Sequence, residues 1–178
     1  MTETQGRAAT IAGWWRENIA NRERGRARAL AARLRRAAVT EALAEPEVHA
    51  LARRLELGRH RADAARLARL VQVLAHLRED AGPTLAARLG GPEPALSHLR
   101  FQRLLRAQGD ELTAALRRAL PMVDRRANVG RLGQDLLIWD HPEWGETARR
   151  NWCFDYFGAP APDESDDAPA AETKETAT

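Results

Sequence analysis

The residues with the most chemistry to offer are arginines, and the densest run of them is Arg22-Glu-Arg-Gly-Arg-Ala-Arg-Ala-Leu-Ala-Ala-Arg-Leu-Arg-Arg-Ala37. Wound as a helix over 26–38, it gathers Ala27, Leu30, Ala31, Leu34, Ala37 and Ala38 on one side, at i, i+3, i+4, i+7 spacing. Arg26, Arg28, Arg33, Arg35 and Arg36 cover the rest. A guanidinium can hold two phosphate oxygens at once, so a helix anchored by its apolar stripe and faced with arginine suits a polyanion. The competing reading is a basic face that meets only water. Smaller clusters recur at Arg100, Arg103 and Arg106, at Arg117 and Arg118, and at Arg149 and Arg150.

Other chemistries find little support. His49, His60, His76, His98 and His141 form no i, i+4 pair and have no cysteine at metal-ligand spacing, so each reads as a surface or helix-end residue. Cys153 stands beside Trp152 with no nearby base to activate it, and reads as a structural thiol. Gly90-Gly91 lacks the preceding strand and following Lys-Ser/Thr of a phosphate loop. Asp110, Asp124 and Asp135 stand singly rather than as a metal-binding cluster. The expectation is a protein that is not an enzyme, with no metal, no cofactor and no small-molecule substrate.

The charge balance points the same way as the arginines. Net charge over 178 residues is +3. Residues 158–178 hold six acids (Asp163, Glu164, Asp166, Asp167, Glu172 and Glu175) against Lys174, a net −5 that leaves +8 for residues 1–157. A body that basic implies nucleic acid or another acidic partner. Lys174 is the only lysine, so 27 of the 28 basic residues are arginine; a GC-rich coding sequence gives the same bias, and the placement of charge is the stronger signal. The sole cysteine, Cys153, allows no intramolecular disulfide, and no signal peptide or membrane-length apolar run is visible. A cytoplasmic protein without membrane contact is expected.

The positioning elements are helices. Abundant Ala, Leu and Arg with few β-branched or aromatic residues favour them. After a lead over 1–9, Thr10 is expected to cap a helix carrying Ile11, Trp14, Trp15 and Ile19, the tryptophans in the core rather than stacked on bases. The arginine helix follows. Pro46 opens the next helix, which Gly58 ends, and a long helix runs from about Asp63 to Ala81. Residues 83–89 can make one or two helical turns. Gly90-Gly91-Pro92-Glu93-Pro94 is the strongest breaker and the expected boundary. Beyond it come a helix over 95–106, another capped by Asp110 and kinked or shortened at Pro121, and a third capped by Asn128. A last one runs over 144–157, with Trp144, Ala148 and Trp152 inward and Arg149 and Arg150 outward. No convincing strand is found. The predicted class is all-α: a multi-helix bundle of two small lobes, 1–93 and 94–157, with a disordered acidic tail over 158–178.

In the second lobe, Leu96-Ser97-His98-Leu99-Arg100-Phe101-Gln102-Arg103-Leu104-Leu105 resembles the "LS..RF..LL" segment of the small subunit of the type I-E CRISPR Cascade complex, the CasB family. Leu116-Arg117-Arg118-Ala119 resembles its "LRR" helix. Asn128-Val129 with Leu132, Asp135-Leu136 and Trp139 resembles its "NV..L..DL..W" segment, and Arg149-Arg150-Asn151-Trp152 with Tyr156-Phe157 its C-terminal helix. At the front, Trp14-Trp15 and Leu34-Arg35-Arg36-Ala37 resemble its tryptophan-bearing helix and its "LRRA" element. The ordered set covers roughly residues 10–157; the acidic tail has no counterpart in it.

This resemblance implies an all-helical, non-catalytic subunit present in two copies, head to tail, in a crRNA-guided surveillance complex. Its implied partners are the other Cascade subunits, including a second copy of itself, single-stranded DNA, and the crRNA–target heteroduplex. Its implied task is to give the displaced DNA strand a basic path and so hold the R-loop open. Base pairing reads sequence in such complexes and protein reads backbone. The candidate phosphate-binding residues are Arg28, Arg35, Arg36, Arg100, Arg106, Arg117, Arg118, Arg149 and Arg150, of which about half should prove solvated or paired within the protein. The tail is expected to aid solubility or to compete weakly for the basic surface. Two other readings stand beside this one. One is a helix-turn-helix regulator with Arg22–Arg36 as recognition helix, which would call for Asn or Gln there and a dimer. The other is an adaptor whose basic face meets acidic protein.

Overall fold

A computed structural model describes residues 3–58 and 60–158; the expected tail beyond 158 lies outside the described residues. Helix α1 (Glu3–Trp15) continues into a π-helical turn, Arg16–Ala20. It starts well before the expected cap: Thr10 is inside it, its Oγ1 donating to the Gly6 carbonyl at 2.9 Å. The early residues are held by packing rather than by propensity. The backbone of Ala8 lies so close to α9 (Val129–Ile138) that a Cβ on Gly130 would fall 2.7 Å from the Ala8 carbonyl oxygen.

The arginine helix is α2 (Gly25–Arg36), with Ala27, Leu30, Ala31 and Leu34 buried as the spacing predicts. It stops before Ala38, which is exposed; the Ala37 carbonyl accepts instead from Gln72 Nε2 at 2.8 Å. A short α3 (Val39–Leu43) leads to α4 (Pro46–Arg54), which ends at the Leu55 cap rather than at Gly58.

The long helix α5 (Arg61–Leu74) is half a dozen residues shorter than its apolar pattern suggests. The Arg22 guanidinium reaches its end and donates to the carbonyls of Ala75 (2.8 Å) and Leu77 (2.9 Å). A cation on terminal carbonyls both satisfies them and complements the helix dipole. The chain then straightens into β1 (Glu79–Asp80), parallel to β2 (Arg126–Ala127). No strand was expected, because two residues carry no periodicity and their partner lies far along the chain.

The remainder is α6 (Leu85–Leu89), α7 (His98–Arg106), α8 (Gly109–Ala119), a 3₁₀ turn at Leu120–Val123, α9 and α10 (Trp144–Phe157). Asn128 caps α9 as predicted, its Oδ1 accepting from the Arg131 amide at 2.8 Å. Gln108, not Asp110, is the α8 cap; Asp110 sits in the first turn, where its charge still suits the dipole. Trp144 points outward, 55 % exposed and stacked on His141 at 4.2 Å. Gly145 takes the close approach instead, since a Cβ there would meet the Trp139 carbonyl oxygen at 2.3 Å. With Gly145, Ala148, Trp152 and Tyr156 inward, residue 144 is turned about 100° away.

Among the described residues the protein is thus all-α apart from that one short strand pair. Trp14, Trp15, Trp139 and Trp152 are core, as expected, and each indole N–H is satisfied. Their acceptors are Glu47 O, Leu74 O, Ala107 O and Asp135 Oδ2. Residues before and after Gly90–Pro94 share one continuous hydrophobic cluster: Ile11, Leu70 and Leu74 belong to it, and so do Phe101, Leu116 and Leu136.

Candidate nucleic-acid interface

With its apolar face committed, α2 has its arginines at the surface, and some are neutralised there. Arg26 donates to Glu47 Oε1 at 2.6 Å, and Arg33 grips both oxygens of Glu45 at 2.6 and 2.8 Å. These bonds hold both carboxyls below the usual carboxylate range. Arg28 is exposed, and Arg35 and Arg36 close the last turn.

Arg35 lies in a group that the chain assembles from four places. Arg22 comes from the turn before α2, whose Asn21 Oδ1 accepts from the amides of Glu23 and Arg24. Arg78 and Arg125 are joined by the β1–β2 pairing, the Arg78 amide donating to the Arg125 carbonyl at 2.8 Å. Asp124 and Arg125 both adopt left-handed backbone (φ 56° and 59°), a costly turn for non-glycine residues that sets Arg125 on this side. Arg117 is exposed on α8.

Burial, and then repulsion from Arg35, Arg78 and Arg125, lowers the pKa of Arg22. Burial and the field of Arg125, Arg36 and Arg78 lower that of Arg35. His76 sits among them. Burial, then Arg117, Arg35, Arg125 and Arg22, pushes its pKa down to about 4. The imidazole is therefore neutral at pH 7, and its Nε2 is buried without a hydrogen-bond partner. Among the described residues Arg35, Arg78, Arg117 and Arg125 form no ion pair, although carboxylates pair with many other arginines. Uncompensated cations held this close repel one another, and an anion relieves the repulsion.

A second basic feature is a groove of about 520 Å³ between α7 and α8. Arg100, Arg103 and Arg118 line it with Leu104, Glu111 and Met122. Arg117 and Arg118 are consecutive on α8 and point about 100° apart, so one helix serves the His76 group and the groove.

Of the nine arginines singled out from sequence, Arg35, Arg36 and Arg117 fall in the first group and Arg100 and Arg118 in the groove. Arg28, Arg106 and Arg150 are exposed and belong to neither. Arg149, expected outward, is half-buried: its Nη1 donates to the Trp139 carbonyl at 2.8 Å and its Nη2 to Glu146 at 3.1 Å. Arg22, Arg78, Arg125 and Arg103 were not among the nine. The first three lie in turns or beside a two-residue strand, where no periodic signal marks a shared face; Arg103 was visible as an outward residue of α7.

No group of three or more His, Cys, Asp or Glu side chains among the described residues is arranged to hold a metal ion. No helix among them is long and apolar enough to cross a membrane.

Residues 30–157 match the profile of a family described as CRISPR-associated protein Cse2. A curated protein of that name from Thermus thermophilus is 40% identical over 65 residues, 36% of this chain and 37% of that relative. The alignment thus spans well under half the length of the relative. No solved structure matches the chain. The profile covers α7 to α10 and the Leu34–Ala37 element; Trp14-Trp15 precede it.

Proposed function

The chain belongs to the CRISPR-associated Cse2 family, and from that premise we propose that it is the small subunit of a type I-E Cascade complex and binds phosphate backbone there. In this role it has no catalytic residue of its own. Two copies line the complex and offer the displaced DNA strand and the crRNA–target heteroduplex a basic path.

The observation that carries this reading is that the charges of Arg35, Arg117 and Arg125 bear on His76, with Arg78 beside Arg35, and none of the four has an ion-pair partner among the described residues. Ion-paired arginines would serve stability; at Arg35, burial and the field of Arg125, Arg36 and Arg78 disfavour the cation, and a bound anion would offset that. Contacts from arginine to phosphate are indifferent to base identity, as a strand of arbitrary sequence requires. R-loop formation is nearly balanced energetically, so a few such contacts tip it. Arg36, Arg100 and Arg118 extend the surface, and Arg28, Arg106 and Arg150 are its outlying members. The exposed side of α2 carries Arg and Ala but no Asn or Gln, so it lacks the adenine-reading amides that the regulator reading calls for.

The test is an R-loop stability assay in reconstituted complex across a salt series. It compares wild type with a variant carrying alanine at Arg35, Arg36, Arg117 and Arg118. The variant should shorten R-loop lifetime at low salt and flatten its salt dependence. Unchanged lifetime in an intact complex defeats the phosphate path. Tight binding of the free protein to one duplex sequence defeats the Cascade reading.

A further inference from the structure

We propose that this chain's own acidic segment, residues 159–178, docks in the α7–α8 groove and occupies Arg100, Arg103 and Arg118 until nucleic acid displaces it. The displacement rests on the phosphate-binding reading above; the docking contact does not.

The place where the described chain ends supports it. The Tyr156 hydroxyl donates to the Leu96 carbonyl at 2.6 Å, and Leu96 itself lines the groove. The Tyr156 ring stacks on Phe101 at 3.9 Å, and Phe157 meets His98 edge-on at 5.5 Å. These contacts fix the last turn of α10 against the start of α7. Gly158, in left-handed backbone, closes α10 there (φ 68°). The chain is therefore released beside one end of the groove.

Charge and reach fit as well. The groove sets three arginines against one acid, Glu111, and none of those arginines has an ion-pair partner among the described residues. Four acids fall in the short run Asp163-Glu164-Ser165-Asp166-Asp167. Extended chain advances at most about 3.6 Å per residue, so Asp163 can lie up to roughly 18 Å beyond Gly158. The helix α7, with nine residues, is only about 14 Å long. Leu104, Ala115 and the exposed Met122 give the groove an apolar lining beside its arginines. Tethering matters more than affinity here. A short linker gives an effective concentration in the mM range, so ion pairs too weak to hold a free peptide still fill the groove. Such pairs yield to salt and to a competing polyanion.

The test uses the full-length chain in three forms: wild type, a variant with Asp163, Glu164, Asp166 and Asp167 changed to Asn or Gln, and an Arg103→Gln/Arg118→Gln variant. In NMR spectra at low salt, neutralising the tail should shift the amide signals of α7 and α8 around Leu104, Ala115 and Met122. The signals of 163–167 should move on adding salt in wild type but not in the arginine variant. Oligo-dT affinity at low salt should rise about 3- to 10-fold on neutralising the tail, with little gain in the arginine-variant background. No shift in the groove, or shifts confined to the His76 group, overturns the docking. Groove shifts in a protein that binds no oligo-dT uphold the docking and overturn the phosphate reading instead.

Discussion

His76, just past the end of α5, lies in the field of Arg117 on α8, and its Nε2 is shut away from water with no hydrogen-bond partner. Burial and four arginines all disfavour its protonated form. Its pKa of about 4 reports burial together with the positive charge of Arg117, Arg35, Arg125 and Arg22.

A pH dependence follows, with two opposed parts. The folded state disfavours the His76 cation, so its contribution to stability is lost as pH falls from about 6.5 toward about 4. Asp135 runs the other way. Burial raises its pKa to about 6 despite Arg131 and the Trp152 N–H, so its contribution is full below about pH 4 and is lost as pH rises through about 6. Between pH 7 and 5 each effect is worth about 1–2 kcal/mol, with His76 reduced by its partial exposure. Urea unfolding at both pH values should find His76→Gln gaining stability on acidification and Asp135→Asn losing it, with wild type between. Parallel slopes in all three proteins would refute the assignment.

Arg35→Gln should trade binding for stability. It removes a partly desolvated cation that repels Arg125, Arg36 and Arg78. Thermal unfolding should occur at the same temperature or higher. Affinity for oligo-dT should drop about 3- to 10-fold at low salt, and the slope of log K against log salt should shrink by about 0.7. A lower melting temperature with affinity intact would make Arg35 a structural residue.

Arg149→Ala should do the opposite. Its Nη1 serves the carbonyl of buried Trp139, and its guanidinium carbon lies 6.0 Å from that indole. Leaving the carbonyl unpaired costs about 1–3 kcal/mol. Denaturant titration should show that loss, while the salt dependence of DNA binding stays as in wild type. Weaker binding without destabilisation would return Arg149 to the phosphate surface.

Gly133→Ala should be damaging although alanine is the better helix former. The added Cβ would lie 2.5 Å from Ile11 Cγ2 and 3.2 Å from Leu70 Cδ1, where α1, α5 and α9 meet. Overpacking of this kind costs about 1–3 kcal/mol. Combined with Ile11→Ala, the glycine replacement should cost much less than it does alone, a coupling that calorimetry of the two single variants and the double variant can read. Additive losses would mean that the helices separate instead of clashing.

The sequence by itself determined the helices and their buried faces, because both follow from rules that act within a few residues. The stripe Ala27, Leu30, Ala31, Leu34, the cap at Asn128 and the break at Pro121 are local patterns, and the structure keeps them. The tryptophans read as core for the same reason. What sequence could not give was anything whose partner lies far along the chain. The start of α1 depends on Gly130, the end of α5 on Arg22, and the outward turn of Trp144 on how closely Gly145 approaches Trp139. The candidate interface is of this second kind. Any arginine on a helix reads as outward, and only the tertiary structure pairs Arg26 and Arg33 with acids and folds Arg149 onto Trp139. It alone brings Arg35, Arg78, Arg117 and Arg125 together, because Coulomb energy depends on distances between side chains that local periodicity does not encode.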